Sequence, residues 1–408
     1  MSVRQYDQRD EQNPFLDRRK MLLSIGLIGT AAAACGADES HLYGGRWMVT
    51  NQSYNIQTSE PFVVHKAEGE KLCAFPAAAA FRIVGEGGRP FTRLFVYFSQ
   101  TKDDANIPPS VGLRMSDDMG GTWPHVQSHT WFPITLVERP DGVIGGPSFV
   151  TEMIGGDVSR EQRIRWVQSA DGGASWTTTE GRLVTPVPMK CIVAGTGRGG
   201  FAFTWALSME DGTLGAALYG RYATDTKYRT IWARSTDGGA NWSVVSTVAY
   251  DPDAGPEGYC EPAVERVADG SLLCVMRIGS NKPLYQCRSF DEGETWSKPE
   301  PLPGPAPELT HSVLPALRKL RDGTLVLSYG RPDTRMLLSP DGSGRSWTSF
   351  ATTYDGTTTG YTGIAVVGSG RVFLTGDRGA NWQYDFASGF PSPNPFAIWG
   401  RFVDIVTS

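Results

Sequence analysis

Apolar residues in this chain come in short runs, each broken by glycine, proline or an Asp-Gly pair, and no stretch keeps the roughly 3.6-residue spacing of a long helix. The runs read as strands in groups. Pro76 to Val84, Arg93 to Ser99 and Val111 to Met115 form the first group; Trp131 to Val137, Gly146 to Glu152 and Ile164 to Gln168 the second; Phe201 to Leu207, Thr213 to Tyr219 and Thr230 to Arg234 the third. Between Glu261 and Arg277, and again between Leu314 and Tyr329, an Asp-Gly pair separates two apolar strands and predicts a tight hairpin. Thr362 to Val367 and Arg371 to Thr375 give a further hairpin, and Ala397 to Val406 a last strand.

One pattern punctuates these groups in five copies: Ser116 to Trp123, Ser169 to Trp176, Ser235 to Trp242, Ser289 to Trp296 and Ser339 to Trp347. Each reads Ser, any residue, Asp, a Gly-rich turn, then Trp. Asp accepts hydrogen bonds from turn amides, Gly takes positive φ, and Trp packs beneath, so the unit closes a β-hairpin. Recurrence about every 50 residues predicts stacked all-β units, each too small to bury a core alone, as in the blades of a propeller. A sixth copy, Thr375 to Trp382, follows a second strand and reads as a loop lookalike. The pattern resembles the Asp-box of the sialidase superfamily. With five boxed blades, a boxless closing blade and a terminal strand that leaves no edge unpaired, the expected fold is an all-β, six-bladed β-propeller over residues 61–408. Residues 36–60 form a lead-in. The boxes themselves are structural and leave the chemistry to be found elsewhere.

Composition narrows the functional classes. A formal charge of -5, with no stripe of Lys or Arg, excludes a nucleic-acid surface. No CxxC pair occurs, so neither a metal nor another cofactor is called for, and Cys73, Cys191, Cys260, Cys274 and Cys287 read as buried strand residues. Residues 1–35 read as an export signal: Arg18-Arg19-Lys20, a short apolar core from Met21, then Ala31 to Ala34 and Cys35. The arginine pair resembles a twin-arginine signal. Ala-Ala-Ala-Cys resembles a lipobox, which would make a lipid on Cys35 the only membrane contact of an exported, cell-surface or periplasmic monomer.

Inner-strand starts and their loops converge on one mouth of a propeller, so polar residues there are candidates for chemistry. Glu261 begins one such strand, and Arg277 ends the next, bringing a carboxylate and a guanidinium together; Glu257, Tyr259 and Tyr285 are weaker candidates nearby. The resemblance to sialidases covers nearly all of the chain after the signal, and it implies roles. Glu261 matches the family's glutamate, Arg277 its following arginine, and Arg335 or Arg331 an arginine ahead of an Asp-box. Tyr361 in Gly360-Tyr361-Thr362-Gly363 matches the tyrosine nucleophile, for which Glu261 would be the base. Phe81-Arg82-Ile83-Val84 keeps three letters of the family's Phe/Tyr-Arg-Ile-Pro motif; if Pro76 begins the strand instead, Ala74 takes the arginine's place and Arg82 lies at the far end. Asp104, with Asp103 beside it, is the expected acid. Arginine forks suit a sugar carboxylate, and a neutral Tyr avoids the repulsion that a carboxylate nucleophile would meet. The implied activity is that of an exo-acting glycoside hydrolase on a terminal anionic sugar. A propeller glycosidase or lyase for a uronic-acid or neutral glycan, and a non-catalytic glycan-binding propeller, are the alternatives.

Overall fold

The computed structural model describes residues 55–69, 71–85, 87–104, 107–304, 311–379 and 393–406. The expected export signal, Cys35 and most of the lead-in lie outside them. Among the described residues there is no helix, and the molecule is built from antiparallel sheets.

Ala74–Val84, Pro90–Ser99, Val111–Ser116 and His125–His129 form one 4-stranded sheet. The arrangement recurs over Cys260–Arg266, Leu272–Arg277, Tyr285–Ser289 and Glu300–Pro301, and over Ala316–Lys319, Leu325–Gly330, Thr334–Ser339 and Ser349–Tyr354. A 9-stranded sheet joins two further sets. One runs through Phe201–Ser208, Leu214–Gly220, Arg229–Ser235 and Trp242–Ala249; the other contains Ile144–Pro147, Val158–Ser169 and Thr177–Lys190. They meet where Leu183 and Val184 pair in parallel with Trp242 and Ser243. Gly181 permits this approach, because a Cβ there would lie 1.7 Å from the Ala240 carbonyl oxygen.

The second group departs from the sequence expectation. Instead of a strand over Trp131 to Val137, only Val137–Glu138 pairs as strand, with Pro133 in an isolated bridge to Ser148. Pro133 has no N–H to give a ladder, and Pro147 likewise ends Ile144–Pro147 before Glu152–Met153 begins.

Four of the serine-aspartate turns share one geometry; the fifth, one residue longer, keeps Ser339 Oγ donating to Asp341 but takes its amide donors from Ser343 and Gly344. In the first, Ser116 Oγ donates to Asp118 Oδ1 at 2.8 Å and accepts from Gly120 N, while Thr122 N and Oγ1 donate to the same carboxylate. Those donors, the Thr122 amide first, pull the Asp118 pKa down to about 2. Asp377, in the sixth copy, does something else. It is fully buried within the strand Arg371–Arg378 rather than in a hairpin turn.

Both ends of the described chain share one sheet. Asn55–Thr58 and Phe62–Lys66 both pair with Ala397–Val406, which continues into Arg371–Arg378 and Thr362–Gly368. The lead-in thus contributes a strand of its own. Lateral hydrogen bonds link successive sheets: Thr204 Oγ1 to the Pro262 carbonyl at 2.8 Å, and Ser328 with Thr362 through their hydroxyls at 2.5 Å. Apolar side chains from several sheets, among them Trp232, Trp347 and Trp399, are buried between these layers, and the described cysteines are free and buried with them.

Candidate active site

Three sheets begin with related tripeptides: Phe75-Pro76-Ala77, Glu261-Pro262-Ala263 and Leu314-Pro315-Ala316. In each, the residue before proline takes positive φ, +54°, +47° and +22° respectively. Proline gives the ladder no donor, and the pairing register shifts between Ala74 and Ala77 and between Cys260 and Ala263. A residue so displaced from the ladder turns its side chain out of the strand's alternation. Conformations of this kind cost about 1–3 kcal/mol and concentrate at functional sites.

Glu261 is the hub. Its Oε1 accepts a 2.5 Å hydrogen bond from the Tyr361 hydroxyl; Oε2 accepts from Arg277 Nη1 at 3.0 Å and from Leu314 N at 2.8 Å. Burial alone would raise its pKa, but Arg277, the Tyr361 hydroxyl and the Leu314 amide together hold it below the ordinary carboxylate range. Tyr361 moves the other way, well above its ordinary value, through burial and the adjacent Glu261 carboxylate. Arg277 is buried and also donates to Glu257 Oε2 at 2.5 Å.

The loop before Tyr361 is pinned from below by Asp377, which accepts from Thr358 Oγ1 at 2.7 Å, Thr359 N at 2.8 Å and Thr359 Oγ1. The same carboxylate accepts from Phe75 N at 2.9 Å, so one group registers two pocket walls. Phe75 then meets Tyr361 edge to face, with ring centroids 5.0 Å apart. Gly360, at φ +84°, lies against the Arg331 backbone, where a Cβ would come within 2.7 Å of the Arg331 amide nitrogen.

Of the two arginines that sequence spacing allowed, Arg331 stands in this cluster. It is buried, donating through Nη1 to Ser280 Oγ at 2.6 Å and through Nε and Nη2 to the Thr359 carbonyl. Arg335, favoured by spacing, instead forks onto Asp333 at 2.7 and 3.1 Å. Arg82 is exposed and pairs with Thr92 at the end of Ala74–Val84 remote from Phe75; buried Ala74 opens that strand, as the second placement expects.

A cavity of about 360 Å³ opens onto Glu261, Tyr361 and Phe75, within the range of small-molecule sites. Asp103 and Asp104 both line it. Asp104 Oδ2 lies 3.6 Å from Lys102 Nζ. Asp103 is an exposed side chain of this lining; lost hydration there and the nearby Glu261 carboxylate raise its pKa, against the pull of Arg331. Glu257, a weaker candidate in the sequence, completes the Arg277 contacts; Ser280, which receives Arg331, and Asp377 carry no sequence signal for such roles. The repeated X-Pro-Ala tripeptide does mark Phe75, and the sequence reading passed over it.

Residues 127–388 match the family described as BNR repeat-like domain. A xyloglucanase from Paenibacillus sp is 27% identical over 203 residues, which are 46% of this chain and 18% of that enzyme. Among solved structures, a Dyadobacter fermentans protein of unknown function is similar with TM-score 0.63 and 19% identity, covering 86% of this chain and 99% of its own. The Penicillium chrysogenum alpha-L-arabinanase gives 0.59 and 13%, over 84% and 98%. The NanB sialidase of Streptococcus pneumoniae gives 0.55 and 13%, over 84% and 70%.

Proposed function

The chain belongs to the BNR repeat-like domain family, and from that premise we propose an exo-acting glycoside hydrolase on a six-bladed propeller, with Tyr361 as nucleophile and Glu261 as its base. The observation that carries the reading is the 2.5 Å hydrogen bond from the Tyr361 hydroxyl to Glu261, itself held by Arg277, at the wall of a pocket. Glycan hydrolysis is the activity that the sialidase, arabinanase and xyloglucanase names of similar proteins share.

In the first step Glu261 takes the phenolic proton as the Tyr361 oxygen bonds to the anomeric carbon. The glycosidic bond breaks, and its oxygen leaves with a proton from an acid. We assign that acid to Asp103 rather than to Asp104, because Asp103 lines the cavity with its pKa shifted upward by lost hydration and the Glu261 carboxylate, whereas Asp104 lies against Lys102. In the second step Asp103 takes a proton from water, whose oxygen attacks the anomeric carbon, and Tyr361 leaves with the proton held by Glu261. Arg277 and Arg331 steady the charge on this pair. The basic, apolar and Ala-Cys segments of residues 18–35 support an exported protein with a lipid on Cys35.

Tyr361→Phe tests the reading. On a glycoside that the wild-type protein cleaves, the folded variant should lose about 100-fold or more in kcat. Activity retained near wild type would remove Tyr361 from the mechanism. Release of free sialic acid from sialosides tests the sialidase form of the proposal.

A further inference from the structure

Resting on the glycoside-hydrolase reading, the structure assigns this pocket a terminal sugar that carries no charged group, with Phe75 as the residue that sets the preference. Binding a carboxylate in a buried site needs cations that are free to turn to it. Each cation here already has its partner. Arg277 is divided between Glu261 and Glu257, and Arg331 donates to the Thr359 carbonyl and Ser280. Turning Arg277 to a ligand would strip Glu261 of the contact that keeps it ionised.

Where a further guanidinium would stand, the chain has Ala74, buried and without reach, followed by Phe75, whose ring lies against Tyr361. Farther out, Arg198 Nη1 is held by the Ile107 carbonyl at 2.6 Å, and Lys102 by Asp104. Counted together, Glu257, Glu261 and Asp104 offset all but one of the cations Arg277, Arg331, Lys102 and Arg198, so little positive field remains to attract an anion. The walls also include Tyr97, Phe98, Phe132 and Phe149, with Thr130 and Ser148 as neutral hydrogen-bonding groups. Aromatic rings and hydroxyls suit the C–H face and hydroxyl groups of an uncharged sugar, and they offer a carboxylate no opposite charge.

A panel of 4-methylumbelliferyl glycosides tests this on the full chain: the sialoside and glucuronide against the arabinofuranoside, xyloside, galactoside, fucoside and rhamnoside. The expected result is cleavage of at least one neutral glycoside with kcat/KM exceeding both anionic ones by at least about 100-fold. Comparable or faster cleavage of either anionic glycoside overturns the assignment. If none is cleaved, calorimetric titration with the corresponding free sugars decides. Binding of a neutral sugar in preference to N-acetylneuraminic and glucuronic acids upholds the substrate class while the hydrolase reading fails. Preference for an acid, or binding of no sugar at all, overturns the substrate class.

Discussion

Glu261 and Asp103 are carboxyl groups beside one cavity, and their surroundings shift their pKa values in opposite directions, Glu261 down and Asp103 up. Activity that needs Glu261 ionised and Asp103 protonated should fall in acid as Glu261 gains its proton and fall in base as Asp103 loses its own. A kcat/KM profile should therefore have its alkaline limb above the ordinary carboxylate range. Asp103→Asn should abolish that limb and slow poor leaving groups more than activated aryl ones; a retained limb would move the acid elsewhere. Asp377 makes a separate prediction. All of its contacts are donors, so Asp377→Asn turns an amide N–H₂ toward them and should cost about 1–3 kcal/mol in denaturant unfolding. Glu261, Arg277 and Tyr361 stood out in the sequence because each sits at the start or end of a short, largely apolar strand. Arg331 was not the favoured arginine there. Spacing assumes a regular chain, whereas Arg331 takes φ +72° ahead of Pro332, which changes where the side chains on either side point. Asp377 was invisible because its partners lie as far as 302 residues away in sequence.

Strands followed the sequence wherever a tight turn set their ends. Glu261 to Arg277 and Leu314 to Tyr329 contain Asp-Gly, and Cys260–Arg266 with Leu272–Arg277 and Ala316–Lys319 with Leu325–Gly330 are the hairpins expected. Between Trp131 and Met153 two prolines interrupt the ladder, and there the apolar run misled, since Phe132 and Phe149 face the cavity instead of extending a strand. The parallel join of Thr177–Lys190 to Trp242–Ala249 also had no local signal, depending on backbone approach rather than side-chain pattern. Gly181→Ala probes it. The added methyl cannot fit beside the Ala240 carbonyl, so thermal unfolding should shift down with a loss of about 1–3 kcal/mol; an unchanged midpoint would mean that the join adds no stability.

At the scale of the molecule, the strands Asn55–Thr58 and Phe62–Lys66 cover the final strand Ala397–Val406. Deleting residues 55–66 should uncover a long apolar edge, so the shortened chain should elute as aggregates in size-exclusion chromatography, where the full chain does not. A monodisperse shortened chain would show that the clasp is dispensable. The same clasp sets a timetable during biosynthesis. The strands that receive Ala397–Val406 are made more than 300 residues before it, so the last sheet cannot seal until that strand has emerged. Until then a nascent chain exposes two unpaired strands, and whatever shields them governs how much of this protein reaches its folded form.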